Sequence, residues 1–287
     1  MPAEPVVVTF TYRLDVAPVN FYAYGSGTPY GAYDTENPLE GSGDKTIGTP
    51  VEIIDAPEYA NFTFKEWNTQ ADGSGDAYQP GDTPNVVAGG MNFYAIYDRV
   101  AVKLVPVDED STAMIERNGA IESYNDGYSV TDSLPETPEN FKTYYVYGLE
   151  TNMGADNTKL DTYVKVTGDG YYTLTLSEAG QCGTGAKISV YDRNGTEDDS
   201  DDTLIEEFYI VIFGDVDGDS IITGSDSTMI KAEVNKRSWS SGENIQYYRV
   251  KAADVDGETI VSGSDSTTVK SVVNKKQTVN QITGLTA

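Results

Sequence analysis

The sequence predicts a multidomain protein in which two mainly-β modules precede a small all-α module. Three observations point to this fold class. Apolar and polar residues alternate in strand-like runs through residues 1–213, whereas an internal duplication with helical periodicity follows them. Acidic side chains also become less frequent there, since residues 214–287 carry 10 of the 46 acidic and 8 of the 19 basic residues.

Composition excludes several classes of function. The chain has no histidine, which rules out Ser-His-Asp and Cys-His nucleophilic centres and His-ligated metals. Its single cysteine, Cys182, cannot form an intrachain disulfide, and we expect it to be a buried, small apolar residue. Carboxylate pairs can hydrolyse glycosides, but none lies in a recognisable motif. We therefore expect a protein that is not an enzyme.

Charge and hydropathy also narrow the choice of partners. The formal charge of −27 argues against binding to nucleic acid or to anionic membrane surfaces. No apolar run approaches the roughly 20 residues needed to span a bilayer, so we expect no membrane insertion. The first four residues, Met1-Pro2-Ala3-Glu4, are unlike a signal peptide, and we expect the chain to be part of a longer protein.

The first predicted module covers residues 5–99. Asp72-Gly73 and Pro80-Gly81 predict turns. We expect Phe64, Trp67 and Tyr94 in the core, with sugar stacking on an exposed Trp67 as the alternative. Residues 62–97 contain Phe64, Trp67-Asn68-Thr69, Ala71-Asp72-Gly73-Ser74-Gly75, Tyr78, Pro80-Gly81-Asp82 and Phe93-Tyr94-Ala95. With these motifs the segment resembles the internalin-type B-repeat, a small β-grasp-like module of secreted and surface proteins.

The second predicted module covers residues 100–213 and is also built of strands. Residues 162–167 and 172–176 alternate on either side of Gly168-Asp169-Gly170, a pattern that predicts a hairpin. Residues 187–191 and 206–212 predict two further strands.

The third predicted module covers residues 214–287 and contains the duplication. Residues 215–237 and 254–276 are identical at 14 of 23 positions without a gap. Each copy opens with an acidic loop, continues with apolar residues at helical spacing and ends in basic residues, which suit the negative end of a helix dipole. The duplication therefore predicts two loop-helix repeats.

The acidic loops carry oxygen ligands at the spacing that a calcium site needs. Ca²⁺ takes about six to eight oxygens, and side chains at alternate positions of a curled loop converge on one ion. A pair of plain acidic turns is the alternative reading of the loops. The candidate ligands of two Ca²⁺ ions are Asp215, Asp217, Asp219, the Ile221 carbonyl and Asp226 in the first loop, and Asp254, Asp256, Glu258, the Ile260 carbonyl and Asp265 in the second.

Residues 214–276 resemble a type I-like dockerin, a paired EF-hand-like module that binds cohesins in cellulosome-type assemblies. The loop openings and the Asp at the twelfth loop position carry this resemblance. Two features depart from the dockerin pattern: Ser220 and Thr259 replace the usual glycine at the sixth position, and Glu258 replaces Asp or Asn. The cohesin-facing residues that the resemblance implies are Gly224, Ser225, Lys231, Ala232, Lys236 and Arg237, and, in the second copy, Gly263, Ser264, Lys270, Ser271, Lys275 and Lys276.

The second module resembles the X-module-like, β-sandwich-like domains that precede dockerins. The matching stretches are Tyr147-Gly148-Leu149, Gly183-Thr184-Gly185-Ala186-Lys187 and Tyr209-Ile210-Val211-Ile212-Phe213-Gly214. These resemblances together imply a secreted or cell-surface bacterial docking fragment whose partner is a cohesin of a scaffoldin or cell-surface protein. The alternative is a set of carbohydrate-binding or adhesion modules attached through the dockerin, with a polysaccharide as partner.

Overall fold

The computed structural model of the chain consists of two compact units, Met1–Val100 and Ala101–Ala287. The structure describes residues 14–25, 29–117, 120–123, 144–195, 199–240 and 245–287. The first predicted module begins at residue 5, and residues 5–13 lie outside the described residues. The second unit contains both the second β-module and the helical segment, and their division at residue 214 stays a prediction.

The first unit is built on one five-stranded sheet. Its strands are β1 (Val16–Tyr22), β2 (Gly43–Thr46), β3 (Phe62–Asn68), β4 (Ala77–Tyr78) and β5 (Met91–Arg99). They lie in the order β2-β1-β5-β3-β4, in which β1 and β5 are parallel and the other neighbours are antiparallel.

Trp67 lies at the centre of the first core, as the sequence predicted. Its ring is fully buried and meets Phe21 edge-on at 5.2 Å between centroids, while Phe21 stacks on Phe93 at 5.1 Å. The Trp67 Nε1–H donates a hydrogen bond to the Ile54 carbonyl at 2.8 Å. The alternative of an exposed Trp67 that stacks on a sugar is therefore wrong, because neither its faces nor its N–H is accessible.

The second unit contains a six-stranded sheet and a two-stranded sheet. Their strands are β6 (Lys103–Pro106), β7 (Met114–Arg117), β8 (Ala120–Glu122), β9 (Tyr144–Tyr147), β10 (Val164–Thr167), β11 (Gly170–Thr175), β12 (Lys187–Asp192) and β13 (Thr203–Ile210). The large sheet has the order β11-β12-β13-β9-β7-β8, and β6 pairs with β10 in the small one.

The predicted hairpin around Gly168-Asp169-Gly170 is wrong. The strands on its two sides are β10 and β11, and they join different sheets, since β10 pairs with β6 and β11 with β12. The chain changes sheets at Gly170, whose backbone approaches Val102 and Tyr191 so closely that a Cβ would lie 2.3 Å and 2.6 Å from their atoms. Long-range pairing thus replaced the local pairing that the turn sequence favours.

The central part of the large sheet is buried on both faces, since side chains there alternate between two cores. Side chains such as Ile115, Val146 and Phe208 face a core shared with the small sheet, in which Cys182 is also buried as predicted. Their neighbours along the strands face the opposite way, into a second core shared with the helical segment, and include Met114, Tyr145, Tyr147 and Val211. One sheet therefore supports both the β-module and the helices.

The described residues of the C-terminal segment form three helices: α1 (Gly224–Lys236), α2 (Tyr247–Ala253) and α3 (Gly263–Val273). The duplication predicted α1 and α3, and their contact is symmetric, because the Ser227 and Ser266 hydroxyls each donate to the other residue's carbonyl at 2.8 Å. No sequence pattern had predicted α2. The predicted fold class, two β-regions followed by a small helical segment, is confirmed.

Candidate metal centres in the duplicated loops

The first loop, residues 215–226, curls around its carboxylates. Asp215 accepts hydrogen bonds from the backbone N–H groups of Gly218 at 2.8 Å and Ser220 at 3.1 Å. Asp217 accepts from the N–H of Asp219, and Asp219 from that of Ile221. Each carboxylate thus fixes the backbone two to five residues further on, which turns the side chains at alternate positions toward the same point.

The second loop, residues 254–265, repeats this arrangement. Asp254 accepts from the N–H groups of Gly257 and Thr259, both at 3.0 Å, and Asp256 accepts from that of Glu258 at 3.2 Å. Asp256 also accepts a very short hydrogen bond from the Ser264 hydroxyl. The same carboxylate spacing therefore produces the same turn in both copies.

The aspartate at the twelfth position closes each loop. Asp226 accepts hydrogen bonds from the N–H groups of Val216 at 2.7 Å and Thr223 at 2.7 Å. Asp265 does the same with Val255 at 3.1 Å and with Ser262 at 2.8 Å. Thr223 and Ser262 are the N-caps of α1 and α3, so each aspartate joins the start of its helix to the start of its loop.

Two aspartate triads result, and their oxygens fit Ca²⁺. In each triad the ligand-type oxygens all lie within 4.8 Å of one another. The first triad consists of Asp215, Asp217 and Asp219, and the second of Asp254, Asp256 and Asp265. Because hard carboxylate oxygens at this spacing are the donors that Ca²⁺ prefers, the triads are consistent with two calcium sites.

Electrostatics also favours a cation in these loops. Burial raises the pKa of Asp215 to about 7 and that of Asp226 to about 6, and the charges of neighbouring loop carboxylates act in the same direction. In the second loop, burial raises the pKa of Asp265 to about 6 and also raises that of Asp254. Bound Ca²⁺ would neutralise this crowded negative charge and stabilise the ionised carboxylates.

Four predicted ligands stand apart from the triads. Glu258 is exposed, and its carboxylate is not a member of the second triad. The side chains of Ile221 and Ile260 are exposed, as expected for residues that were predicted to offer only a backbone carbonyl. Their roles and the ligand role of Asp226, which also lies outside the first triad, stay predictions.

The sixth loop position has the left-handed backbone that the missing glycine would favour. The φ angle is 66° at Ser220 and 65° at Thr259. A residue with a Cβ loses about 1–2 kcal/mol in this conformation, so both loops contain local strain. Hydrogen bonds from the Ser220 N–H to Asp215 and from the Thr259 N–H to Asp254 stabilise this strained conformation.

The predicted partner-facing residues form two similar exposed sets. Along α1 and its end, all six of them are exposed. Along α3 and its end, five are exposed and Ser271 is half-buried. The duplicated sequence therefore presents two matched, largely exposed surfaces, and the identity of the contact residues stays a prediction.

Sequence reasoning missed the residues that hold α2 on the large sheet. Lys251 Nζ lies 3.0 Å from Glu116 Oε2, and the Tyr248 ring stacks on Tyr209 at 4.8 Å between centroids. Gly185 allows this packing, because a Cβ there would lie 2.7 Å from the Tyr248 ring. No local pattern indicates such contacts, since Glu116 and Lys251 are 135 residues apart.

Comparison with known proteins identifies one part of the chain. Residues 213–274 match the dockerin type I domain family. The matched range includes both loops and the helices α1, α2 and α3. A type I dockerin implies a docking function with a cohesin as partner, and dockerin modules are extracellular. None of the helices in the described residues is long and apolar enough to cross a bilayer.

The β-modules have no family name from these comparisons. A relative named as a Gly-rich membrane protein of Evansella cellulosilytica is 33% identical over 105 residues. This similarity covers 33% of the chain but only 12% of the relative's length. No solved structure matches the chain.

Proposed function

We propose that the chain is a non-catalytic, calcium-dependent docking fragment of a secreted or cell-surface bacterial protein. Its dockerin segment binds a cohesin and so attaches the parent protein to a cellulosome-like or cell-surface scaffold. The observation that carries this proposal is the pair of aspartate triads, each in a loop that leads into a helix with a largely exposed matched surface. The absence of histidine and the burial of Cys182, which raises its pKa to about 12, support a non-catalytic role.

The β-modules act in this proposal as stabiliser and spacer. The large sheet of the second unit supplies Met114, Tyr145 and Tyr147 to the core on which the helices pack. Removal of that sheet would expose the apolar side of the dockerin segment to water, at a cost of about 25 cal/mol per Å² of apolar surface. The first unit is assigned the role of spacer.

A pull-down of type I cohesins with the full chain tests the docking function. We expect retention in calcium and loss of retention with a chelator, because the loops order the helices that form the binding surface. The test variant combines Asp217→Ala with Asp256→Ala, which weakens both triads. The matched control is Asp108→Ala, which removes a carboxylate far from the loops in sequence. Equal retention of a cohesin in chelator by the unmodified chain, the double variant and Asp108→Ala would contradict the proposal.

The alternative, a carbohydrate-binding or adhesion module set, has a separate readout. We expect the full chain to bind no sugars on a glycan array, since Trp67 is buried. Glycan binding that persists in chelator would assign a carbohydrate-binding role, instead of a spacer role, to the β-modules.

The two matched surfaces make a further prediction about orientation. If either surface can meet the cohesin, then Lys236→Ala or Lys275→Ala alone should weaken binding only slightly, whereas both changes together should weaken it strongly. A large loss of affinity from one single variant would show that one orientation dominates.

A further inference from the structure

The two calcium loops have similar sequences but different surroundings. In the first loop, Asp215, Gly218 and Ser220 are buried. At the matching positions of the second loop, Asp254 is half-buried and the other two residues are exposed. Because the sequences are duplicated, this difference comes from the neighbours of each loop.

A segment of the β-module, residues 177–184, covers the first loop, and we call it the supporting loop. The Thr184 N–H donates a hydrogen bond to Asp215 Oδ2 at 2.9 Å. Asp215 therefore receives one donor from outside the repeat in addition to the two from within it. In the described part of the chain, no β-module residue donates a hydrogen bond to the corresponding Asp254.

The supporting loop also fixes the backbone of the first calcium loop. The Ser177 hydroxyl donates to the Gly218 carbonyl at 2.6 Å. From a neighbouring segment, the Asn152 N–H donates to the Ser220 carbonyl at 2.5 Å. These two bonds hold the turn in which the strained sixth position lies.

Glycine allows the two loops to approach this closely. A Cβ on Gly183 would lie 2.4 Å from the Gly218 carbonyl oxygen and 2.7 Å from the Ser220 nitrogen. A Cβ on Gly218 would lie 2.5 Å from the Thr184 carbonyl oxygen. The contact is therefore backbone against backbone, and neither side has room for a side chain.

We propose that the supporting loop is a structural part of the first calcium site and makes it the tighter site, which releases its ion last. Thr184 and Ser177 are positioning residues, because Thr184 holds the predicted ligand Asp215 and Ser177 holds the backbone of the loop. This inference rests on the proposed function only in taking the two triads as calcium sites.

The physical reason is preorganisation. Ordering a loop residue costs about 1–2 kcal/mol of conformational entropy, so a loop already held by its neighbours loses less on binding an ion. Hydrogen bonds to a ligand from outside the first coordination sphere have the same effect on its orientation. By linkage, an ion in the first loop must stabilise the contact with the supporting loop by the same free energy.

Calcium release from the full chain tests the proposal. Rapid mixing of the calcium-loaded protein with a fluorescent chelator should give two phases, and Asp217→Ala and Asp256→Ala identify the phase that belongs to each loop. We expect the slower phase to belong to the first loop. In Ser177→Ala that phase should become about tenfold faster, which corresponds to about 1.4 kcal/mol, while the other phase stays unchanged.

Ser189→Ala is the matched control. Ser189 is buried like Ser177, and its hydroxyl donates one hydrogen bond, to Glu207 at 3.0 Å, inside the β-module. We expect this variant to leave both phases unchanged. Equal acceleration of both phases, or equal effects of the two serine variants, would overturn the proposal because a general loss of β-module stability would then explain the result.

Two further measurements keep the proposal falsifiable. Gly183→Ala should accelerate first-loop release by more than tenfold, because its methyl group separates the two backbones. In the unmodified protein, hydrogen exchange at the Thr184 amide should become slower when calcium is added, and unchanged exchange would overturn the inference. Cohesin binding at saturating calcium is recorded in parallel, so failure of the docking function is distinguishable from failure of this coupling.

Discussion

The buried ion pair between Lys251 and Glu116 gives a quantitative test of how α2 is held on the sheet. The two charged groups are 3.0 Å apart, and their side chains are only 10% and 11% exposed. Lys251 Nζ also lies 4.7 Å from the ring centroid of Tyr147, 5.3 Å from that of Tyr145 and 5.9 Å from that of Phe213. The ammonium group therefore has one counter-ion and three aromatic neighbours.

The magnitude of the effect follows from these contacts. Removal of one partner from a buried pair typically costs about 3–5 kcal/mol, because the other charge stays buried without compensation. In Glu116→Gln the rings still stabilise the ammonium by about 1 kcal/mol, so we expect a loss of about 2–4 kcal/mol in the free energy of unfolding. In Lys251→Met no other cation among the described residues pairs with the Glu116 carboxylate, and we expect the full loss of about 3–5 kcal/mol.

Urea denaturation of the calcium-saturated protein measures these values. Trp239 is buried in the helical core, and a Trp67→Phe background lets its fluorescence report on the second unit alone. The double variant Glu116→Leu with Lys251→Met should recover to within about 1–2 kcal/mol of the parent protein, because two apolar side chains leave no buried charge.

The exposed pair Lys159–Glu150 is the matched control. Its atoms are 2.7 Å apart, but the side chains are 43% and 51% exposed, so Glu150→Gln should change the free energy of unfolding by less than about 1 kcal/mol. The reasoning would be refuted if Glu116→Gln were as mild as this control. It would also be refuted if the double variant were as unstable as the worse single variant.

Four further predictions follow from the loops and helices. Asp226→Ala should reduce calcium stoichiometry from two ions to one in calorimetry, and unchanged binding would contradict its assignment to the first loop. Thr259→Gly should raise the free energy of unfolding by about 0.5–1 kcal/mol, since glycine relieves the positive φ, whereas a lower melting temperature would count against strain at this position. Burial alone would raise the pKa of Glu233, but hydrogen bonds from Ser238, Trp239 and Ser240 lower it to about 2. The contribution of the ionised Glu233 to folding stability should therefore be complete above the ordinary pKa of a glutamate and be lost as pH falls toward 2. An NMR titration of the Glu233 carboxyl carbon with a midpoint above 4 would disprove this. The basic residues that end both helices should meet an acidic surface of the cohesin, so added salt should slow association, and a salt-independent rate in stopped flow would exclude this steering.

The fold class and the loops were predictable because both depend on short-range order in the sequence. The spacing of Asp215, Asp217 and Asp219 fixes which backbone N–H groups the carboxylates can reach, so the turn follows from the residues themselves. The duplication then repeats it in residues 254–265. Apolar alternation predicted β12 and β13 for the same reason, since a strand displays its two faces at a period of two.

The features that were missed depend on distant residues. The turn sequence at Gly168-Asp169-Gly170 favours a hairpin locally, yet β10 gains more by pairing with β6 in the small sheet. Glu233 interrupts the apolar face of α1 and gave no sign of a role. In the structure it is buried and accepts hydrogen bonds from Ser238, Trp239 and Ser240, which fixes the chain that leaves the helix.

The two repeats are similar in sequence, and they share their helix surfaces but differ in the surroundings of their loops. The surfaces of α1 and α3 share nearly the same residues, and the exchange of hydrogen bonds between Ser227 and Ser266 relates the two helices symmetrically. The loops behind them differ, because the first lies against the supporting loop and Gly257 of the second lies against Leu285. A partner that meets only the helices would therefore find two equivalent surfaces. Any preference between them must arise from unequal calcium loading or from contacts outside the repeats.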